Sequence, residues 1–383
     1  MAYNNFLSDL TIVVPTYNRQ DYALRCMQYW SEKGPKVLVI DGTLKPIEKY
    51  EFYSLSSNIV YVHMPLGFYE RLRASLNLIN TKYVILACDD EFYIPSALEK
   101  CIIELDNNLE LVACIGQCIQ FNYHELNKVT GYPLYLRLRS LSVTETEAED
   151  RVKSHMCNYV PSLCYSVSRS KDWKTAWQYT LKVEFPAYSI AEVQFEIFMS
   201  FAGKSKAINE LMWLRSSECQ QTRGQSPSFS PTNSFHDWWI NSFNELEKEK
   251  LLIIMEDGFK ALSNNKVDNL REVAIKGFEA YFDAINKDLQ LYTKSNNIMN
   301  RLLQALRIIL PQKIENLAKF ITLKLGFKST ISKFIINTST KSIINTSNDL
   351  SIIGINVDFE QLEKIEKIII AFHNKDYNKK INS

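Results

Sequence analysis

Three consecutive acidic residues at the end of an apolar run constrain this chain more than any other feature. The run from Val84 to Glu91 reads VILACDDE, so a short hydrophobic strand would carry Asp89, Asp90 and Glu91 at its carboxyl end. Carboxylate oxygens suit Mg²⁺ or Mn²⁺, which proteins often share with a phosphate. If the extended path continues, Asp89 and Glu91 face one way and Asp90 the other. Acidic surface turns are also common, so the run needs supporting context before it predicts a metal site.

The sequence around this run alternates short strands with amphipathic helices. We predict strands over 10–14, 36–40 and 58–63 and helices over 21–33 and 69–80, the last leading into the acidic strand. This alternation predicts an α/β fold with a mostly parallel, doubly wound sheet. Ligands bind beyond the carboxyl ends of such strands, and Pro15 to Arg19, Asp41, Gly67 and the acids all fall there. Their convergence favours the metal interpretation.

At this point the chain resembles the GT-A glycosyltransferases, and it is most similar to the large inverting group typified by family 2. The residues that carry the resemblance are IVVPTYNR at 12–19, VIDG at 39–42, the span from Gly67 through Arg71 and Asn77 to the acids, and a later helix with Glu192 and Gly203. Together they cover about residues 8–218. Glu91 departs from the usual Asp-any-Asp pattern, although glutamate is also a competent oxygen ligand.

The resemblance implies a nucleotide-sugar donor, a UDP-sugar by default, bound with Mg²⁺ or Mn²⁺. Pro15, Tyr17 and Asp41 would border the base, Arg71 would lie near the phosphates, and Asp89 to Glu91 would hold ribose and metal. Arg19, which closes the first motif, is grouped with the donor-binding residues. Each residue also has a simpler interpretation, since Tyr17 would pack on its turn, Asp41 and Gly42 form a common turn dipeptide, and Arg71 with Arg73 would be a solvated helix face.

Glu192 is the candidate general base. Related enzymes carry a Glu-Asp pair at a helix start and a glycine at its end; here Ala191 and Glu192 occupy the pair's place, and Gly203 follows Glu192 by 11 residues. Transfer with inversion needs a carboxylate that takes the acceptor hydroxyl's proton. The alternative is a capping box formed by Ser189 and Glu192, in which the glutamate only accepts hydrogen bonds from backbone N–H groups. Glu196 and Glu184 are the reserve candidates.

The rest of the predicted first domain would supply the acceptor side. We predict strands over 111–121 and 162–168, and a mobile polar excursion or lid over 132–150. His155 would either touch substrate or be an ordinary surface or hydrogen-bonded residue. Arg215 would either contact the diphosphate or pair with Glu218.

Composition gives no sign of nucleic-acid binding or of membrane insertion. The 383 residues carry a net charge of +1 and are 46% hydrophobic. Eight scattered cysteines without a CxxC pair are typical of reduced thiols in the cytosol and argue against zinc. We expect neither a signal peptide nor a run of the roughly 20 apolar residues that a spanning helix needs, hence a cytoplasmic protein that is soluble or peripheral.

The character of the sequence changes after about residue 224. We predict a catalytic domain over 1–234 and a mainly helical region over 235–383, with helices over 235–249, 251–263, 270–284, 298–325 and 359–374 and a brief strand over 349–357. Residues 294–341 hold nine lysines and arginines against one glutamate. This segment is either an interfacial helix at the inner face of the membrane or a basic solvated face of a helix that packs on the catalytic domain or on a second subunit.

Two functions of different classes follow. The first is a metal-dependent, inverting glycosyltransferase that uses a glycan or lipid-linked acceptor; the resemblance places it in bacterial-type surface polysaccharide assembly. The second is a non-catalytic module of the same fold that binds a nucleotide or glycan, or acts as a scaffold. Nucleotidyl transfer is disfavoured because no glycine-rich phosphate loop follows the first strand.

Overall fold

The computed structural model describes residues 6–124, 127–218, 234–263, 268–288 and 341–381. In these ranges the chain forms a ten-stranded sheet with helices on both faces. The strands are β1 (Leu10–Thr16), β2 (Lys36–Asp41), β3 (Ile59–His63), β4 (Tyr83–Leu86), β5 (Phe92–Tyr93), β6 (Leu111–His124), β7 (Lys128–Leu134), β8 (Ser142–Val143), β9 (Val167–Arg169) and β10 (Lys204–Ser216).

The helices are α1 (Gln20–Trp30), α2 (Phe68–Ser75), α3 (Pro95–Asn107), α4 (Ala148–Cys157), α5 (Ser170–Thr180), α6 (Tyr188–Ala202), α7 (Phe235–Ile240), α8 (Glu245–Leu262), α9 (270–288), α10 (Ile343–Ile352) and α11 (Phe359–Ile381). Short 3₁₀ turns include Leu136–Ser140 and Leu163–Tyr165. Among the residues described, no helix combines the length and the apolar character needed to cross a bilayer.

The sheet confirms the predicted α/β architecture. Its order is β3-β2-β1-β4-β9-β6-β10-β5, with β7 added beside β6 and β8 beside β10. Strands β1 to β4 are parallel neighbours, and β6 and β10 run in the same direction, so six of the ten strands share one direction. The carboxyl ends of β1, β2 and β4 therefore meet at one edge, where ligands bind in open α/β sheets.

Side-chain alternation along β1 explains why both faces are covered. Ile12 and Val14 belong to one buried cluster, and Val13 belongs to the other. Successive residues of a strand point to opposite faces, so an uninterrupted apolar strand must have a hydrophobic layer on each side. The first cluster includes α1, α3 and α11, and the second includes α5, α6, α8 and α9.

The helices that follow residue 234 contribute to both clusters. Ile343, Leu350 and Leu362 from α10 and α11 are buried with the first cluster, and Met255 of α8 and Phe278 of α9 are buried with the second. The predicted helical character of this region is confirmed where the structure describes it. The boundary at residue 234 stays a prediction, although the core packing continues across it.

Three local expectations need correction, and a fourth lies outside the described residues. Residues 132–150 are not an irregular lid, because they contain the end of β7, a 3₁₀ turn, β8 and the start of α4. The strand predicted over 162–168 is a 3₁₀ turn followed by the shorter β9. The strand predicted over 349–357 is wrong because the end of α10 occupies its first part. The helix over 298–325 and residues 294–340 of the basic segment lie outside the described ranges, while Lys341 pairs with Asp349.

Candidate functional site

The three acids lie in a buried turn directly after β4. The strand ends at Leu86, and Asp89 and Asp90 form a turn before β5 begins at Phe92. The extended path therefore does not continue to Glu91, so the condition for the alternation of the three side chains is not met. All three are buried, with relative exposures of 4% for Asp89, 8% for Asp90 and 7% for Glu91. Such burial requires partners that compensate for the lost hydration of each carboxylate.

Residues at the end of β1 supply partners for Asp89 and Asp90. The hydroxyl of Thr16 donates a hydrogen bond of 2.7 Å to Asp89 Oδ2. Arg19 Nη2 lies 3.0 Å from Asp89 Oδ1 and 2.5 Å from Asp90 Oδ2, so one guanidinium group pairs with both acids. Sequence reasoning grouped Arg19 with the donor-binding residues, and the structure places it against these acids. Thr16 was missed, although it lies inside the first motif.

Glu91 turns towards β10 on the other side of the site. The indole N–H of Trp213 donates a hydrogen bond of 2.8 Å to Glu91 Oε2. Trp213 is fully buried and stacks on Tyr165 with ring centroids 4.6 Å apart. Arg215 Nε lies 3.9 Å from Glu91 Oε1, so this arginine faces the acid turn. Glu218, the alternative partner of Arg215, instead forms an ion pair of 2.8 Å with Arg25.

The donor set of the acid turn fits a hard divalent cation. A carboxylate oxygen from each of Asp90 and Glu91 and the sulfur of Cys88 lie within 4.8 Å of one another. Burial raises the pKa of Cys88 well above its usual value, which leaves a neutral thiol that is a poor ligand for Mg²⁺ or Mn²⁺. The two carboxylates remain, and Mg²⁺ is commonly held by one or two carboxylates together with substrate phosphates.

The electrostatics of the turn point to the same chemistry. Burial raises the pKa of Asp89 and of Glu91, and the neighbouring Asp90 carboxylate raises both further. Three carboxylates in a small buried volume thus repel one another, and Arg19 offsets this repulsion for Asp89. A bound cation would relieve the remainder, because it favours the ionised form of nearby acids. Asp89 stands apart from the group of close ligand atoms, since its oxygens face Thr16 and Arg19.

Asp41 lies at the end of β2 with its carboxylate fully engaged. Oδ1 accepts a hydrogen bond of 2.8 Å from the Thr43 amide, and Oδ2 accepts bonds from Gln20 at 2.8 Å and from the Tyr61 hydroxyl at 2.7 Å. Burial raises the pKa of this carboxyl, but the hydrogen bonds outweigh it and hold the pKa below its ordinary value. Asp41 has no exposed surface, so its carboxylate accepts only these buried hydrogen bonds.

Arg71 closes the same region from α2. Its Nη1 donates a hydrogen bond of 2.9 Å to the Thr16 carbonyl, and its guanidinium carbon lies 5.8 Å from the centre of the Tyr17 ring. A Cβ atom at Gly42 would lie 1.3 Å from Arg71 Nη1, so the arginine needs a glycine there. Tyr17 is 42% exposed and available for stacking. Arg71 is buried, so it is not part of a solvated helix face. Arg73 is exposed, and it donates a hydrogen bond to the Leu181 carbonyl.

Glu192 lies near the start of α6 and is not a helix cap. Helix α6 begins at Tyr188 after Ala187, which has no side-chain capping bond, so the proposed capping box with Ser189 does not form. Glu192 instead accepts a hydrogen bond from the Tyr159 hydroxyl and is partly exposed. Its helix ends before Gly203, where a Cβ would lie 2.4 Å from Val112.

Glu196 and His155 form a buried pair one turn further along α6. His155 Nε2 lies 2.6 Å from Glu196 Oε2, and both residues have no exposed surface. Glu196 also accepts hydrogen bonds from the amides of Leu163 at 3.1 Å and Cys164 at 2.9 Å. Of the two interpretations of His155, these contacts favour the ordinary hydrogen-bonded residue. Glu196 holds the 163–165 turn through its bonds to the two amides. Glu184, the other reserve, is exposed.

The 163–165 turn connects the surroundings of Glu192 with the acid turn. Glu196 accepts a hydrogen bond of 2.9 Å from the Cys164 amide, and after the larger effect of burial the carboxylates of Glu196 and Glu192 both raise the pKa of the Cys164 thiol. The next residue, Tyr165, stacks on Trp213, and Trp213 bonds to Glu91. Helix α6, which carries the candidate base, therefore contacts this segment directly through Glu196, and the acid turn is joined to it through Trp213.

Comparison with known proteins gives weak similarities. No family model matches the chain, and no curated protein matches it. Among solved structures, the crystal structure of S. aureus TarS residues 1–349 is similar with a TM-score of 0.40 and 12% identity over 73% of this chain and 91% of that one. The complex of the same TarS fragment with UDP-GlcNAc gives a TM-score of 0.38 and 11% identity, with the same coverages. At such values the likeness carries no weight in assigning a function.

Proposed function

We propose that this chain is a glycosyltransferase that takes a sugar from a nucleotide diphosphate, a UDP-sugar by default, and transfers it to a glycan or lipid-linked acceptor. One observation carries the proposal: the ends of β1, β2 and β4 bring together a buried carboxylate turn, the cations Arg19 and Arg71, and the accessible ring of Tyr17. A nucleotide diphosphate needs these elements, namely a flat surface for its base, positive charge for its phosphates and oxygen ligands for the accompanying cation.

The acid turn would hold Mg²⁺ or Mn²⁺ through Asp90 and Glu91. When bound, the ion would stabilise the charge of the departing diphosphate. Asp89 would keep Arg19 in place beside the phosphates, since its oxygens already face Arg19 and Thr16. Arg71 would lie beneath the Tyr17 ring and near the phosphates, and Pro15, Tyr17 and Asp41 would border the base.

Glu192 would act as the general base. In the transfer, the bond between the sugar's anomeric carbon and the diphosphate oxygen breaks, and a bond from that carbon to the acceptor oxygen forms. The acceptor proton passes to the Glu192 carboxylate, and the electron pair of the broken bond leaves with the diphosphate. Direct attack from the opposite face inverts the anomeric centre. The hydrogen bond from Tyr159 fixes the orientation of Glu192, which supports its role over that of Glu196, whose oxygens are occupied by His155 and two backbone amides.

One observation supports the non-catalytic alternative. Arg19 already supplies a positive charge to Asp89 and Asp90, so these acids can be balanced by the protein itself. A module that binds a nucleotide or glycan without turnover would need no bound cation to balance these acids.

Inner-membrane contact through residues 294–341, homo-oligomer formation and a role in surface polysaccharide assembly remain predictions of the sequence.

Calorimetry and turnover assays with a panel of nucleotide sugars, each with and without Mn²⁺, separate the two candidates. The enzyme predicts donor binding that strengthens with Mn²⁺ and release of nucleotide diphosphate when an acceptor is present. Donor binding without turnover over a broad donor and acceptor panel would support the binding module instead. Failure to bind any nucleotide sugar would refute both the donor site and the reaction.

A further inference from the structure

Two residues of the C-terminal helix α11, Phe372 and His373, contact side chains that surround Arg25. His373 Nε2 is 2.6 Å from Glu218 Oε1, and the imidazole ring stacks on Tyr123 with centroids 4.0 Å apart and planes inclined by 10°. The preceding residue, Phe372, packs on Tyr22 of α1 with ring centroids 4.7 Å apart. These contacts join residues that are far apart in sequence, and the glycosyltransferase proposal gives them no role.

Glu218 connects His373 to a buried arginine. Its side chain has no exposed surface, and it accepts hydrogen bonds of 3.2 and 2.8 Å from the two terminal nitrogens of Arg25. The Arg25 guanidinium also lies within 5.0 Å of the ring centres of Tyr22, Phe92 and Phe372. An arginine so enclosed can keep its position only while its carboxylate partner is in place, since an unpaired buried charge is costly.

Arg25 in turn holds the acid turn by its backbone. Nη2 donates a hydrogen bond of 2.9 Å to the carbonyl of Asp90, in addition to its bond with Glu218. A continuous series of contacts thus runs from His373 through Glu218 and Arg25 to the residue that offers one of the two carboxylate ligands. Because the last bond goes to a main-chain carbonyl, it fixes the path of the turn and leaves the carboxylate of Asp90 available to a ligand.

We propose that His373 is a positioning residue for the acid turn. It holds Glu218, Glu218 orients Arg25, and Arg25 fixes the Asp90 carbonyl, so that docking of α11 sets the geometry of residues 88–91. The ligand-binding part of this inference rests on the proposed function, whereas the effect on the turn itself does not. Residues that orient metal ligands through hydrogen bonds typically change metal affinity or activity by about 10-fold to 100-fold when they are removed.

Three variants of the full chain test the inference. His373→Leu removes the donor, while His373→Gln keeps an amide N–H near the position of Nε2. His124→Leu is the matched control, because His124 Nε2 makes a similar hydrogen bond of 2.8 Å to Thr130 at the far end of β6. The measurements are hydrogen exchange by mass spectrometry in peptides covering 87–93 and the dissociation constant of UDP with and without Mn²⁺.

We expect His373→Leu to speed exchange in the 87–93 peptides and to weaken Mn²⁺-dependent UDP binding by about tenfold. His373→Gln should restore both to within about threefold, since it keeps the donor. His124→Leu should change neither. Unchanged exchange at 87–93 in His373→Leu would overturn the inference. A uniform increase of exchange over β1, β2 and β3 would overturn it as well, because His373 would then stabilise the whole fold rather than the acid turn. If exchange responds while wild-type protein binds no UDP, the positioning role stands and the proposed function fails.

Discussion

Replacing Asp41 by asparagine tests whether the hydrogen-bond network at the end of β2 depends on a charged acceptor. The carboxylate accepts one hydrogen bond on Oδ1 and two on Oδ2. An asparagine amide offers one acceptor oxygen, so in either orientation its NH₂ group faces an N–H donor, from Thr43 or from Gln20. One buried charge-assisted bond is lost and replaced by a donor–donor contact. We expect the free energy of unfolding to fall by about 2 kcal/mol, the usual scale for such a bond.

The pH dependence of this loss follows from the lowered pKa of Asp41. Because the native pKa lies below the unfolded value of about 3.9, the ionised carboxylate stabilises the fold above about pH 4, and this stabilisation is lost as the pH falls through the native pKa. Urea unfolding followed by circular dichroism should therefore show a constant difference between wild type and Asp41→Asn from about pH 5 to 8 that shrinks below about pH 4.

Asp106→Asn is the control for this experiment. Asp106 also accepts a tyrosine hydroxyl, from Tyr83 at 2.6 Å, but it lies at the surface beside Lys82. We expect a loss of less than about 1 kcal/mol for this variant, as for other exposed pairs. A difference below about 0.5 kcal/mol for Asp41→Asn, within the range of ordinary surface substitutions, would refute the reasoning. A gap that widens towards low pH would contradict the sign of the pKa shift.

Three further variants test the other parts of the site. Trp213→Phe removes the N–H donor of Glu91 and should weaken Mn²⁺ binding by about tenfold in calorimetry. Glu192→Gln should bind UDP-sugar within about twofold of wild type, and its transfer rate in a turnover assay should fall by about 10²-fold to 10⁴-fold, as when a general base is lost. Gly42→Ala forces Arg71 to move, so UDP affinity in calorimetry should fall by about tenfold, which corresponds to 1.4 kcal/mol.

Each of these variants has a matched control. Trp173→Phe removes a buried indole N–H that has no hydrogen-bond partner among the described residues, and it should leave Mn²⁺ binding unchanged. Glu196→Gln breaks the buried pair of Glu196 with His155. We expect it to lower the free energy of unfolding by about 3 kcal/mol and to have no specific effect on the transfer rate of the folded protein. Gly67→Ala is expected to be tolerated, since its Cβ would lie 3.5 Å from the nearest neighbour. Control effects as large as those of the paired variants would show that the site residues act through folding alone.

The strand pattern of the first half could be predicted because it depends on local apolar runs. The predicted strands over 10–14, 36–40 and 58–63 match β1, β2 and β3 within two residues at each end, and the acids lie at the predicted edge. The runs of β1 and β2 are buried on both faces, and the run of β3 is half-buried at the edge of the sheet, so their apolar composition distinguishes them from turns and surface helices. Helix α1 is likewise recognisable by its spacing of buried residues, which include Met27 and Trp30.

The partners of the acids could not be predicted, because they arise from contacts between distant segments. Trp213 lies 122 residues from Glu91, and Arg25 lies 193 residues from Glu218. Nothing in the local sequence around Arg25 distinguishes it from a solvated helix residue. The turn at Asp89 and Asp90 also escaped prediction, since an apolar run followed by acids does not show where the extended path ends.

The C-terminal helices show the same limit at a larger scale. A change of composition near residue 224 suggested a boundary, whereas the buried side chains of Ile343, Leu362 and Ile369 lie in one hydrophobic cluster with those of β1 and α1. Periodicity identifies which face of a helix is apolar, but it does not identify the surface that this face covers. The contact between His373 and Glu218 therefore required the structure.

A crystal of the full chain soaked with UDP and Mn²⁺ tests the central claim most directly. The account predicts an anomalous manganese peak coordinated by carboxylate oxygens of Asp90 and Glu91 and by the nucleotide's phosphates, with Arg19 turned towards the same phosphates. Nucleotide bound beside Tyr17 without manganese at these carboxylates would contradict the metal site. Acids that keep their present partners, with no nucleotide beside Tyr17, would contradict the proposed glycosyltransferase.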